Sequence, residues 1–222
     1  MKKLEIACFN LASALVVAKS NADRIEFCAD AHLGGTTPTI EEIETLISES
    51  NKELMIMIRP RGGDFNYSES EFEQMKSSIQ TIKKLKIDGF VFGILDQNSE
   101  IDIERNHQLI ELAKPLKCAF HRALDRTSNL ENSLNQVIAL GFKTILTSGL
   151  TSNVMDGKLN LKELVELAQN RIEIMPGGGL RSTNIDEINQ ITNANYYHSS
   201  ALVDETGIAN AEEINTLKSL IA

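Results

Sequence analysis

Leu54-Met55-Ile56-Met57-Ile58-Arg59-Pro60-Arg61-Gly62-Gly63-Asp64-Phe65 decides how this chain is read. Apolar residues in unbroken succession describe a strand covered on both faces, as in a parallel sheet flanked by helices. The strand then ends abruptly. Pro60 fixes its own φ and offers no ladder donor, while Gly62 and Gly63 allow a sharp turn or a close backbone approach to a ligand. Two arginines and an aspartate therefore gather at the carboxyl end of a buried strand, where α/β proteins place their chemistry.

Outward from this segment, short runs rich in Ile, Val and Phe alternate with helical patterns. Strands are expected over 4–9, 24–28, 54–58, 89–95, 117–121, 143–148, 171–176 and 195–199. Helices are expected over 11–20, 39–50, 69–86, 103–113, 129–140, 160–169, 182–192 and 210–221. Thr39 with Glu42, Ser68 with Glu71, and Asn210 with Glu213 mark helix starts, and Gly141 stands where a helix-ending glycine belongs. Eight strand–helix units in strict alternation call for a parallel sheet with right-handed crossovers. Eight units within 222 residues favour a closed (β/α)8 TIM-type barrel, one domain over 1–222, with an open doubly wound sheet as the alternative.

Composition narrows the partners. The net charge is −9, from 22 basic and 31 acidic residues, and no run of Lys and Arg offers a polyanion surface, so nucleic acid is not expected. No apolar stretch approaches the roughly 20 residues of a membrane span, and no membrane partner is expected. The opening Met-Lys-Lys and the apolar stretch to Val17 imitate a signal peptide. Glu5 and Asn10 interrupt it, and cleavage after Ala22 would remove the first strand and helix. Cys8, Cys28 and Cys118, with no close pairing, read as reduced cytoplasmic thiols. Assembly into a homo-oligomer stays open.

Side chains alternate along a strand, so polar positions within apolar strands mark the barrel interior. This places Glu5, Glu26, Arg59, His121, Glu173 and His198 inside, with Arg61, Asp64, Arg122, Asp125 and Ser148 at the mouth. Glu5 and Glu173 come early in their strands and read as buried ion-pair partners. Glu26, Arg59 and His121 lie near the carboxyl ends and read as functional. In that reading Arg59 and Arg61 clamp a carboxylate or phosphate, and His121 exchanges protons with Glu26, Asp64 or Asp125. Pro176-Gly177-Gly178-Gly179-Leu180-Arg181-Ser182, with Ser199 and Ser200, forms a second anion-binding candidate, because such loops after the seventh and eighth strands of barrels present backbone N–H groups. A tight turn that merely needs glycine explains the run equally well.

Metal is the remaining class. Cu(I) prefers thiolate and thioether, and the chain has three Cys, six Met and four His without any CxxC or HExxH spacing. Alternation turns Cys8 and Cys118 toward the helices and Cys28 toward the interior, so Cys28 is the cysteine of interest.

Together these residues closely resemble the CutC family of copper-homeostasis proteins. The resemblance rests on Ala22-Asp23-Arg24-Ile25-Glu26-Phe27-Cys28, Gly34-Gly35-Thr36-Thr37-Pro38, Ile58 to Phe65 with Tyr67, and Gly93-Ile94-Leu95-Asp96 with Ile101-Asp102. It continues through Phe120-His121-Arg122-Ala123-Leu124-Asp125, Ile145-Leu146-Thr147-Ser148-Gly149, Gly177-Gly178-Gly179 and His198-Ser199-Ser200-Ala201. It implies a TIM-type barrel, a cytoplasmic location, and copper handling through cysteines, here Cys28 and Cys8. Cys118 and Pro176 depart from the family's usual small or hydroxyl residue and alanine. Two functions follow as expectations: Cu(I) binding in copper homeostasis, or an enzyme acting on a small anionic metabolite at the charged mouth.

Overall fold

The computed structural model describes residues 1–222. Eight strands alternate with eight helices: β1 (Lys3–Cys8), α1 (Leu11–Ala18), β2 (Arg24–Phe27), α2 (Ile40–Glu49), β3 (Glu53–Met57), α3 (Glu69–Ile82), β4 (Gly89–Phe92) and α4 (Ile103–Ala113) form the first half. The second half is β5 (Lys117–Phe120), α5 (Leu130–Leu140), β6 (Thr144–Thr147), α6 (Lys158–Ala168), β7 (Glu173–Pro176), α7 (Ile185–Thr192), β8 (Tyr196–Ser199) and α8 (Ala211–Leu220). Short 3-10 turns at Ala31–Leu33 and Arg122–Arg126 follow β2 and β5. All strand pairs are parallel, and β8 returns to pair with β1. The fold is a (β/α)8 barrel, with helices covering the sheet.

The barrel is nearly closed: β7 and β8 run side by side without a backbone ladder. Pro176 supplies a physical reason. Glu173 N–H and Gly177 N–H both point to β6, bonding Lys143 and Thr147 carbonyls at 3.1 and 3.0 Å. The intervening even-numbered positions face β8, and Pro176 has no N–H to offer there.

Helix starts follow the sequence signals. Thr39 and Ser68 form complete capping boxes with Glu42 and Glu71, and Asn210 accepts from Glu213 N–H. Strand β4 stops three residues before the expected end, because the buried Asn106 side chain bonds both N–H and C=O of Ile94 in place of a neighbouring strand.

Two apolar clusters divide the interior. The larger, of 51 buried residues, fills the shell between barrel and helices and includes Cys8 and Cys118. The smaller joins Cys28, Met55, Met57, Val91 and Ala119 inside the barrel. Full burial of a Leu, Ile or Phe side chain stabilises by roughly 1.5–3 kcal/mol, so the shell dominates stability and leaves the barrel axis free for polar groups.

Candidate functional site

Strand register assembles the floor of the site. β1 lies between β2 and β8, with Glu5 opposite Arg24 on one side and His198 on the other, and Ala7 opposite Glu26. Glu5 accepts from Arg24 Nε through Oε2 and lies 2.7 Å from His198 Nδ1 through Oε1. Arg24 extends to Met175 Sδ at 3.4 Å and to Glu53 at 3.8 Å. Burial opposes the Glu5 charge, but Arg24 and His198 overcome it and hold the carboxyl below its ordinary range. Burial likewise opposes a proton on His198, and Glu26 and Glu5 reverse that. Glu26 has no salt bridge of its own, and burial pushes its carboxyl up to about 7. Its Oε1 accepts from Cys28 Sγ at 3.5 Å, and its buried Oε2 has no hydrogen-bond partner.

Above this floor His121 follows β5 and precedes the 3-10 turn. Its Nδ1 accepts from Ala123 N–H at 3.3 Å, so Nε2 carries the ring proton of the neutral form. Phe65 packs on the ring at 4.7 Å between centroids. Burial, with the nearby Arg59 charge, lowers its pKa to about 3. Near neutrality His121 is therefore the neutral imidazole, and its buried Nε2 has no hydrogen-bond partner in the protein. Arg59 is also more committed than the sequence suggests. Nη1 donates to the carbonyls of Leu33 and Gly35 at 2.7 and 2.9 Å, and Nη2 to Gly63 at 3.2 Å. Of the five guanidinium N–H groups, Nε–H and one on Nη2 are unengaged.

The opposite rim is built by the 3-10 turn after β5. Asp125 accepts from Ser148 N–H, Leu150 N–H, the Thr147 hydroxyl and Arg122 Nε. A carboxylate so fully bonded is an anchor for the β6 loop, not a base. Arg122 Nη2 donates to Ser148 Oγ at 2.7 Å, while Nη1 has no partner within the protein. The guanidinium lies flat against Gly178, where a Cβ would meet Arg122 Cζ at 2.9 Å. Gly178 and Gly179 take φ of +105° and +76°, conformations that favour glycine, and their N–H groups donate to nothing in the protein. Gly177 has a different reason: a Cβ there would lie 2.4 Å from Leu146 Cδ1. Arg181 Nη1 and Nη2 donate to Ser199 Oγ and Ser200 Oγ, each at 3.2 Å, tying the β7 and β8 loops together.

These elements enclose a cavity of about 950 Å³ at the carboxyl end of the barrel. Arg59, Arg122, Arg126 and Arg181 line it against only two carboxylates, Glu26 and Asp125. His121, His198, Gly178, Gly179 and Ser199 also line it, whereas Gly177 and Ser148 support the wall from behind. Arg61 and Asp64 do not reach it. Arg61 bonds Asp64 at 2.9 Å and Glu71 at 2.6 Å, fastening the loop after β3 to the start of α3, so the expected Arg61 clamp and Asp64 base are corrected to a surface clasp. Arg126, Arg181 and Glu5 were missed as site residues. Arg181 had a signal, a cation immediately after a glycine run. Glu5 showed as interior, yet its hold on His198 needed the β1–β8 register.

No cysteine lines the cavity. Cys8 belongs to the helix-side apolar shell and Cys28 to the cluster inside the barrel. Burial pushes the Cys8 and Cys28 thiols well above their ordinary range and Cys118 up to about 12.

Comparison with known proteins adds a family. The sequence profile described as the CutC family matches residues 2–203. A family protein CutC of Parabacteroides distasonis is 43% identical over 203 residues, 90% of this chain and 84% of the relative. The human copper homeostasis protein cutC homolog is 38% identical over 198 residues, 89% of this chain and 72% of the relative. The crystal structure of a CutC protein from Streptococcus agalactiae superposes with a TM-score of 0.84 at 35% identity, covering 90% of this chain and 99% of that one. Phosphoribosylanthranilate isomerase of Thermotoga maritima, at 15% identity and a TM-score of 0.62, covers 100% of this chain and 98% of its own, and shares the fold alone.

Proposed function

The chain belongs to the CutC family, and from that premise we propose that its part in copper homeostasis is exercised at the charged mouth, by binding and transforming a small organic anion. The observation that carries this reading is four arginines around one cavity of a protein whose net charge is −9. An anionic group, carboxylate or phosphate, fits between the free N–H groups of Gly178 and Gly179 and the unengaged Nη1 of Arg122. The remainder of the molecule then extends toward the His121 donor and Glu26. A thermal-shift and native mass-spectrometry screen of carboxylated and phosphorylated metabolites tests it. At least one is expected to stabilise the protein, and Arg122→Gln is expected to weaken that ligand by about 10-fold or more, the range of a lost charge-assisted hydrogen bond. A screen without ligands, or a ligand indifferent to Arg122→Gln, refutes the reading.

A second reading, Cu(I) cargo, follows the copper homeostasis named for the human relative. One observation favours it: Cys28 shares a buried cluster inside the barrel with Met55 and Met57, residues that carry soft donors. Under this reading Cys28→Ser weakens Cu(I) binding in competition with a chromogenic chelator, and Cys8→Ser leaves it unchanged. Equal affinity of Cys28→Ser and wild type removes it.

A further inference from the structure

We propose that Glu26 and His198, oriented by Glu5, form a site for a divalent cation of the Zn²⁺–Mn²⁺ class on the floor of the cavity. Donor atoms of Glu5, Glu26 and His198 lie within 4.8 Å of one another, and all three residues are buried. Two ligands at ~2.1 Å from one metal stand at most ~4.2 Å apart, so a small torsional closure brings this set into coordination range.

Independent observations point the same way. Glu26 is 3% exposed, lines the cavity, and leaves Oε2 with no partner. Its neighbour Glu5 is bonded to both Arg24 and His198, whereas Glu26 makes no salt bridge. His198 uses Nδ1 for Glu5 and makes no protein hydrogen bond through Nε2. A carboxylate on one ring nitrogen fixes the tautomer and turns the other nitrogen outward as a ligand, the arrangement in which outer-shell carboxylates support metal-bound histidines. Carboxylate oxygen and imidazole nitrogen are hard to borderline donors, so the site selects divalent ions and not Cu(I). It shares Glu26 with the anion reading, but none of its residues is Arg122 or a loop glycine, so the two readings fail on different variants.

The test uses untagged, chelator-stripped full-length protein titrated with Co²⁺ as a spectroscopic probe, then displaced with Zn²⁺ and Mn²⁺. One Co²⁺ per chain is expected, with visible ligand-field bands and no near-ultraviolet thiolate charge-transfer band. Glu26→Gln and His198→Gln are each expected to weaken Co²⁺ by ~100-fold, and Glu5→Gln by ~10–100-fold through loss of orientation. Cys118→Ser, in the helix-side shell, is expected to leave it within twofold, and circular dichroism checks that each variant folds. Absence of stoichiometric binding by wild type overturns the proposal. So does affinity that survives Glu26→Gln or His198→Gln in a folded variant, or a charge-transfer band that disappears in Cys28→Ser.

Discussion

His121 shows how burial changes the role of a residue whose position was legible. The period of two along β5 placed it inside, because alternation is local; its proton affinity depends on Phe65 and Arg59, which arrive from another loop and strand. A histidine whose folded pKa falls to about 3 from an ordinary 6.5 binds fewer protons folded than unfolded. Its contribution is present above pH ~6.5 and is lost as the pH falls from there toward 3. We expect the melting temperature to drop between pH 7 and pH 4.5, and the drop to be smaller in His121→Gln. Parallel profiles for the two proteins would count against the assignment. Gly178 gives a second residue-scale prediction. A Cβ there meets Arg122 Cζ at 2.9 Å, at a φ of +105°. Gly178→Val should therefore cost about 1–3 kcal/mol of stability and displace Arg122. In chemical denaturation with and without the anion found by screening, it is expected to lose ligand stabilisation as well as stability.

Elements were legible where their signals lie within a few residues. The capping boxes at Thr39 and Ser68 formed as their spacing predicts, and seven strands ended within two residues of expectation. Strand β4 ended early because Asn106, from the following helix, replaces a ladder, an interaction with no local signature. Arg61 and Asp64 belong to the same lesson. Proximity to a strand end suggested the site, but Glu71 of α3 turns Arg61 away from it. Since Glu71 also closes the capping box with Ser68, helix start and loop are one unit. Ser68→Ala is expected to cost about 1 kcal/mol. Arg61→Ala, at an exposed pair, should cost at most about 1 kcal/mol. Urea unfolding of both single variants and the double variant should show coupling, because Glu71 accepts from Arg61 through its carboxylate and donates its own N–H to the Ser68 hydroxyl. The mouth ligand should bind Arg61→Ala within twofold of wild type, and a larger loss would return Arg61 to the site.

At the scale of the molecule, eight alternations of strand and helix called for a parallel sheet covered by its crossover helices and favoured a barrel over an open doubly wound sheet. Closure was not legible, because the register between first and last strands is set only when β8 meets β1. That register also makes the polar axis: Glu5 lands between Arg24 and His198, joining the foot of the barrel to its carboxyl end. The apolar shell outside carries the fold, so the axial network can serve orientation at some cost in stability. Removing one partner should be severe. Arg24→Met leaves the Glu5 carboxylate, 0% exposed, without its guanidinium, and should destabilise the protein by about 3–5 kcal/mol. Glu5→Leu alone strands Arg24 and His198 in the same way. The double variant Glu5→Leu, Arg24→Met removes both buried charges and should lose less than the sum of the two, by about 2 kcal/mol, in guanidinium unfolding with an unchanged m value. Additive losses would mean that the pair is not the energetic unit of the axis, and that His198 is held by packing instead of by Glu5.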